Sequence, residues 1–265
     1  MPRLVEECAE EWKLALGPAY PGSYVSVAYP ADLPDGTPAV LKVQFPHNES
    51  EHEAEALREW NGDGAVRLLD HDPERHALLL ERCVPGTHLG HEEADRALSV
   101  LIGLLPRLWV PVGEPFTRLE DEALQWADGL PALWEVAGRP FERRLLDSAV
   151  DHLTSLASEP ADPVLLHQDL HADNVLAAER EPWLVIDPKP LRGDRAFSAA
   201  PIVRSYELGH SREAVLNRLD RITAETGIDR ERARGWALGQ TVAWAFEGDR
   251  PLPRHIETAG WLLEG

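Results

Sequence analysis

Cysteine is nearly missing from this chain: Cys8 and Cys83 are the only two in 265 residues. A disulfide framework and a cysteine-rich metal centre are therefore excluded. Cys8 falls on an apolar helical face and reads as a small core residue. No apolar run approaches the about 20 residues that span a bilayer. The start, Met1 to Glu7, lacks the basic-then-apolar plan of a signal peptide. No membrane partner is expected, and a cytoplasmic location is the default. Positive charge is scarce: 26 Lys and Arg stand against 46 Asp and Glu, a net charge of −20. Such a surface repels phosphate backbones and argues against nucleic acid. It suits a cationic ligand, although a solvated acidic surface is the simpler account. Lysine occurs only at 13, 42 and 189, so each retained lysine is informative.

The remaining composition, 43% hydrophobic and 27% charged, is that of a soluble globular protein. The length suits one large domain or a two-lobed unit with a real core. Helical spacing of Leu4, Val5, Cys8, Ala9, Trp12, Ala15 and Leu16 predicts a helix over 4–16. Strands are expected over 23–29, 39–43, 66–69 and 77–80, with a turn over 30–37 and a charged amphipathic helix over 48–60. These make a small antiparallel lobe with one main helix and an N-terminal helix. After Pro85-Gly86 the pattern turns mostly helical, over about 91–108, 116–128, 139–157, 195–208, 211–225, 229–246 and 251–263. Short strands interrupt at 164–166, 175–177 and 183–186. The expected class is α+β, with a nucleotide-binding lobe over 1–84 and a larger, mostly helical catalytic and substrate-binding lobe over 85–265.

The chemistry concentrates in His167-Gln168-Asp169-Leu170-His171-Ala172-Asp173-Asn174, followed by Ile186-Asp187-Pro188. Phosphoryl transfer from a nucleotide needs a carboxylate that accepts the proton of an attacking hydroxyl. It also needs an amide oxygen and a second carboxylate that hold magnesium on the phosphates. Asp169 is the expected base; Asn174 and Asp187 are the expected metal ligands. The order matches the kinase pattern His-x-Asp-x-x-x-x-Asn followed by a metal-binding aspartate. A turn asparagine or a strand-end aspartate would explain either ligand alone, but both together poorly. His167 reads better as a loop-holding residue than as an acid or base. A zinc reading of His167, Asp169 and His171 would need them to alternate along a strand, and the segment reads as a loop.

Lys42 lies on a strand ahead of a helix rich in glutamate, where it can contact nucleotide phosphates and be held by a carboxylate. Glu53 is the expected partner, with Glu55 in reserve. Around Ser23, Gly22-Ser23-Tyr24 is a candidate backbone cradle for phosphate, although an ordinary hairpin turn explains it equally well. The backbone carbonyl of Glu81 and amide of Cys83 are candidate contacts for adenine.

Taken together, these segments resemble the aminoglycoside phosphotransferase family, which has a protein-kinase-like bilobal fold. Within it they are most similar to the streptomycin 6-phosphotransferase and hydroxyurea phosphotransferase branch. The resemblance rests on Val40-Leu41-Lys42, His52 through Arg58, Gly64 through Leu69, Leu78 through Arg82 with Pro85-Gly86, Leu165 through Leu176, and Trp183 through Pro190. It covers nearly the whole chain. It implies an ATP- and Mg2+-dependent antibiotic-resistance kinase with Lys42, Glu53, Asp169, Asn174 and Asp187 in the roles above. The acceptor would be a hydroxyl of a small molecule: a streptomycin-like aminoglycoside, or alternatively hydroxyurea or another metabolite. A cationic acceptor would call for acidic residues such as Asp173, Glu247 and Asp249, each more simply a solvated loop charge. A monomer or homodimer is expected. Two positions depart from the family pattern. Gln168 replaces the usual glycine of His-Gly-Asp, and Ser198 stands where an aspartate is usual. A catalytically weak nucleotide-binding homologue is the reading these departures motivate.

Overall fold

Alternation along Pro38–Gln44 sends Leu41 and Val43 to one face of a strand and Lys42 to the other. That strand organises the first half of the protein. A computed structural model describes residues 1–21, 26–45, 51–159 and 161–265. The chain divides into two compact units, Met1–Thr87 with Leu176–Lys189, and His88–Val175 with Pro190–Gly265.

In the first unit, helix α1 (Pro2–Glu11) begins with proline in its first turn, where the missing N–H costs nothing. Its Val5 and Cys8 pack on Leu41, Val43 and Ala77. Strands β1 (Ala15–Leu16), β2 (Ser26–Asp32), β3 (Pro38–Gln44), β4 (Leu68–Asp72) and β5 (Ala77–Glu81) form an antiparallel sheet in the order β1-β2-β3-β5-β4. The helix expected over 4–16 thus stops at Glu11. Lys13 turns the chain with φ +54, and Ala15–Leu16 pairs with Ala31 and Asp32 instead. A sheet edge satisfies those backbone groups as well as a last helical turn would. Helix α2 (Glu53–Trp60) buries Glu53, Ala54, Ala56, Leu57 and Trp60. A smaller sheet joins β6 (Pro85–His88) to the hairpin that β8 and β9 form further along the chain, Val175–Ala178 and Trp183–Val185. Ala65 bridges Val185. These pairings are why Leu176–Lys189 belongs with the first unit, which a single cut after residue 84 would not describe.

The second unit is helical: α3 (Ala94–Leu108), α4 (Leu119–Val136), α5 (Arg143–Ser158), α6 (Ala199–Val203), α7 (Arg212–Thr226), α8 (Arg230–Ala243) and α9 (Pro253–Glu264). Strands β7 (Val164–His167) and β10 (Pro190–Gly193) pair antiparallel. Helix α8 is the hub, packed on α4, α5, α6, α7 and α9. Its Gly235 and Gly239 let α5 approach; a Cβ on Gly239 would sit 2.7 Å from Leu153 Cδ2. Side-chain caps start α3, α7 and α8, with Glu93 accepting from Arg96 N at 3.4 Å, Ser211 from Ala214 N at 3.1 Å and Asp229 from Arg232 N at 2.8 Å. Helix α4 runs through Pro131 to Val136, past its expected end at 128. Burial of Leu130 and Trp134 outweighs the one backbone bond that Pro131 cannot make. The helix expected over 195–208 is broken into a 3-10 turn (Arg195–Ser198), α6, and a second turn (Tyr206–Leu208). Pro201 cannot donate to Phe197, so no continuous helical ladder crosses this stretch. Among the described residues no helix is long and apolar enough to cross a membrane.

Candidate active site

Lys42 is 7% exposed and Glu53 2% exposed. A buried charge persists only when paired, and these two pair with each other. Lys42 Nζ donates to Glu53 Oε1 and Oε2 at 2.8 and 2.7 Å. It also donates to Asp187 Oδ1. Gln44, two residues along β3 and so on the same face, donates its amide to Glu53 Oε2. Burial works to lower the Lys42 pKa, but attraction to Glu53 and Asp187 outweighs it and the net shift is upward. Glu55 faces outward to Arg58 instead, at 3.2 Å. Asp187 adopts φ +52, a conformation that aspartate tolerates better than most residues. Its side chain is 50% exposed.

The Asp169 loop follows directly from β7, which ends at His167. His167 is buried, and its Nδ1 accepts the Asp169 backbone N–H at 3.2 Å, the loop-holding role expected of it. Because the strand stops there, residues 167, 169 and 171 do not share the strand face that the zinc reading required. Asn174 Nδ2 donates to the Asp169 carbonyl at 2.9 Å. That bond fixes the amide orientation and leaves the Oδ1 acceptor as the end that could hold a cation. His171 Nδ1 pairs with Glu207 Oε1 at 2.8 Å. Ligand atoms of His171, Asp173 and Glu207 lie within 4.8 Å of one another. Burial tends to raise the Glu207 carboxyl, but the bonds from His171 and backbone hold it down at about 2. Burial likewise opposes the His171 charge, and Glu207 overcomes it, raising His171.

Thus Lys42, Glu53 and Asp187 come together within the first unit, and Asp169 and Asn174 within the second. A hard carboxylate and an amide oxygen are the donors magnesium prefers, and a fixed ammonium suits phosphate oxygens. The residues present therefore fit a magnesium nucleotide. Ser23 lies outside the described residues. At Glu81, the carboxylate is tied by Arg180, with Nε and NH2 at 2.8 and 2.9 Å, and by Arg67 N at 3.0 Å. The Cys83 thiol is buried and pushed up to about 12 by that burial. Glu247 and Asp249 are exposed; Glu247 pairs with Arg250.

Sequence reasoning missed several supporting residues. Gln44 could have been found from its spacing to Lys42 on the strand. Arg180, Arg204 and Gln240 carry no local signal. Asp194 is the brace for the segment after β10: its carboxylate accepts Ala196 N at 3.0 Å, Trp236 Nε1 at 2.7 Å and Arg232 Nε. Ser198, where an aspartate was expected, accepts the Trp109 indole N–H at 3.0 Å. The loop is thus held without that aspartate.

An antiparallel sheet with a buried lysine–glutamate pair in one unit, and the Asp-x-x-x-x-Asn loop in a separate helical unit, define a protein-kinase-like phosphotransferase. Choline kinase LicA from Streptococcus pneumoniae shares this fold, with a TM-score of 0.71 over 100% of this chain and 99% of that one, at 14% identity. Sequence comparison narrows the class. The family described as aminoglycoside/hydroxyurea antibiotic resistance kinase matches residues 11–249. A streptomycin 6-kinase from Streptomyces glaucescens is 41% identical over 100% of this chain and 90% of its own length. A hydroxyurea phosphotransferase from Kitasatospora aureofaciens is 43% identical over 99% and 79%. This chain belongs to the aminoglycoside/hydroxyurea antibiotic resistance kinase family and is a kinase.

Proposed function

We propose that the protein transfers the γ-phosphate of ATP to a hydroxyl of a streptomycin-like aminoglycoside. Asp169 accepts the hydroxyl proton as the oxygen attacks phosphorus, and the bond from phosphorus to the bridging oxygen of ADP breaks. Lys42, held by Glu53, binds phosphate oxygens. Asn174 Oδ1 and Asp187 would hold the metal. Magnesium, when bound, offsets phosphate charge as it shifts to the leaving group. The first unit is the nucleotide-binding lobe, with the backbone of Glu81 and Cys83 at the adenine. Positioning and charge neutralisation supply most of the rate, because the reaction asks for little covalent chemistry from the protein.

The observation that carries this reading is the Lys42–Glu53–Asp187 constellation. An ammonium, two carboxylates and an amide clustered around a buried pair have no evident purpose in a merely structural strand. The acceptor rests on the 41% identity to a streptomycin 6-kinase. The carboxylates of Asp173 and Glu207, on the Asp169 loop and the turn beside it in the same unit, and the net charge of −20 are in keeping with a cationic acceptor. The second reading is hydroxyurea, a small neutral acceptor, supported by the 43% identity to a hydroxyurea phosphotransferase.

A coupled ADP-release assay with ATP and magnesium separates these readings. The panel is streptomycin, other aminoglycosides, hydroxyurea, choline and simple sugars. Stimulation by streptomycin alone supports the first reading, and stimulation by hydroxyurea alone the second. Stimulation by neither, with choline or a sugar active, contradicts both.

A further inference from the structure

A second buried cation stands in the helical unit, and it faces the Asp169 loop. Arg204 follows α6 and is 7% exposed. Its NH1 donates to Gln240 Oε1 at 3.1 Å. Its Cζ lies 4.5 Å from the centroid of the Trp244 ring, a cation–π distance. Its NH2 lies 3.7 Å from Asp169 Oδ1. Gln240 is fully buried on α8, and its Nε2 donates to the backbone carbonyl of Gln168 at 2.8 Å. One amide therefore grips both the loop backbone beside Asp169 and the guanidinium facing its carboxylate.

Burying a guanidinium is costly, and what Arg204 does with its bonds differs from the other deeply buried arginine. Arg218 is also buried, but it spends its donors on the backbone carbonyls of Val203, Leu208 and Gly209. That is a structural pattern, tying a turn to a helix. Arg204 instead points one arm at a carboxylate on the catalytic loop. The other titratable groups around Arg204 and Asp169 are engaged with one another. His171 pairs with Glu207 at 2.8 Å, and the Tyr206 hydroxyl is hydrogen-bonded to His255 Nδ1 at 2.5 Å. Burial holds His255 down at about 3, so it stays neutral.

We infer that Arg204 is a positioning residue for phosphoryl transfer: clamped by Gln240 and Trp244, its guanidinium holds the Asp169 carboxylate in the orientation that receives the acceptor proton. The inference rests on the reading of Asp169 as base. At 3.7 Å the contact is longer than a charge-assisted hydrogen bond. It orients the carboxylate by charge without claiming an oxygen as a close donor would. Arg204 does not touch ATP in this account, so its loss affects kcat and not the KM for ATP.

The test is a double-mutant cycle of Arg204→Met and Asp169→Asn, with Arg204→Lys as the conservative variant. Readouts are kcat, the KM for ATP and the thermal midpoint, with the acceptor that the panel identifies. Arg204→Met is expected to lower kcat by about tenfold to a hundredfold, the scale of a misplaced catalytic group, with the KM for ATP within about twofold of wild type. In the Asp169→Asn background the same change is expected to lower the residual rate by less than about threefold, because there is no longer a base to orient. Arg204→Lys keeps the charge but cannot hold Gln240 and Asp169 together, and should recover at least about fivefold of the lost kcat. If Arg204→Met does not fold, the neutral variant Arg204→Gln takes its place with the same expected losses. A kcat of that neutral variant within about threefold of wild type with a loss confined to stability, or a raised KM for ATP, overturns the proposal. Losses that multiply in the double variant also overturn it. Full activity of Asp169→Asn alone refutes the base assignment itself, which the Arg204 variants do not enter.

Discussion

Replacing Lys42 with methionine isolates the energetics of the buried pair. The substitution keeps the volume and removes the cation. Asp187 loses a partner too, but its side chain is 50% exposed and water can take over. Glu53 cannot be rescued that way, at 2% exposed with the Gln44 amide as its one remaining side-chain donor among the described residues. Breaking a buried pair by removing one partner typically costs about 3–5 kcal/mol. An escape caps the cost: Glu53 can take up a proton. Holding a carboxyl neutral at pH 7 costs about 3.7 kcal/mol, at about 1.36 kcal/mol for each pH unit above an ordinary value near 4.3. The same cap falls to about 1 kcal/mol at pH 5. The sign follows from linkage. In Lys42→Met the folded protein binds a proton at Glu53 that the unfolded chain has released, so its stability falls as pH rises above about 4.3. Urea unfolding of wild type and variant at pH 5, 6, 7 and 8 measures the difference. It should grow from about 1 to at most about 4 kcal/mol over pH 5 to 7, and the further change Glu53→Gln should remove most of that slope. A difference that is the same at every pH would refute the reasoning, because it would mean that Glu53 keeps its charge without Lys42.

Two further predictions concern the second unit. Asp194→Ala leaves the buried Trp236 indole N–H without its acceptor and frees Arg232 from one carboxylate. It should cost about 3 kcal/mol in urea unfolding, with Asp194→Asn costing less, and a loss below about 1 kcal/mol would contradict the bracing role. The His171–Glu207 pair should stabilise most between about pH 4 and 6.5, the ordinary values of its two members. Glu207, held down at about 2, contributes stability above its ordinary value that fades as pH falls toward 2. His171, held up, contributes below its ordinary value and loses that as pH rises past its folded value. The gap in thermal midpoint between wild type and Glu207→Gln should therefore be widest in that window, and a gap independent of pH would contradict it.

The parts of this protein that were legible in its sequence are those whose logic is local. Asp169 and Asn174 share one loop, and the bond from Asn174 Nδ2 to the Asp169 carbonyl spans five residues. Lys42 and Glu53 are eleven residues apart on a strand and the helix that follows, so spacing and residue type were enough to pair them. Period-two and helical patterns likewise exposed the small sheet and most of the helices. What stayed hidden depends on partners far along the chain. Gln240 meets Arg204 across 36 residues and Gln168 across 72, and no motif marks either contact. Helix α4 was read to end at 128, whereas buried Leu130 and Trp134 carry it past Pro131. The stretch 195–208 was read as one helix because its apolar residues recur at helical spacing. That pattern does not register Asp194 drawing in Ala196, Arg232 and Trp236, nor the missing donor at Pro201. Ser198 shows the converse: a departure from the family pattern is harmless to the loop because Trp109 and Asp194 hold it.

The claim on which the account depends is that Asp169 takes the acceptor proton. The most direct measurement is acceptor-stimulated ADP release by Asp169→Asn, alongside ATP binding followed by thermal shift. Loss of a general base costs about a hundredfold to ten-thousandfold. The account predicts a fall in kcat of that size with ATP binding unchanged, since Lys42, Glu53 and Asp187 are untouched. Full turnover by the variant would contradict it.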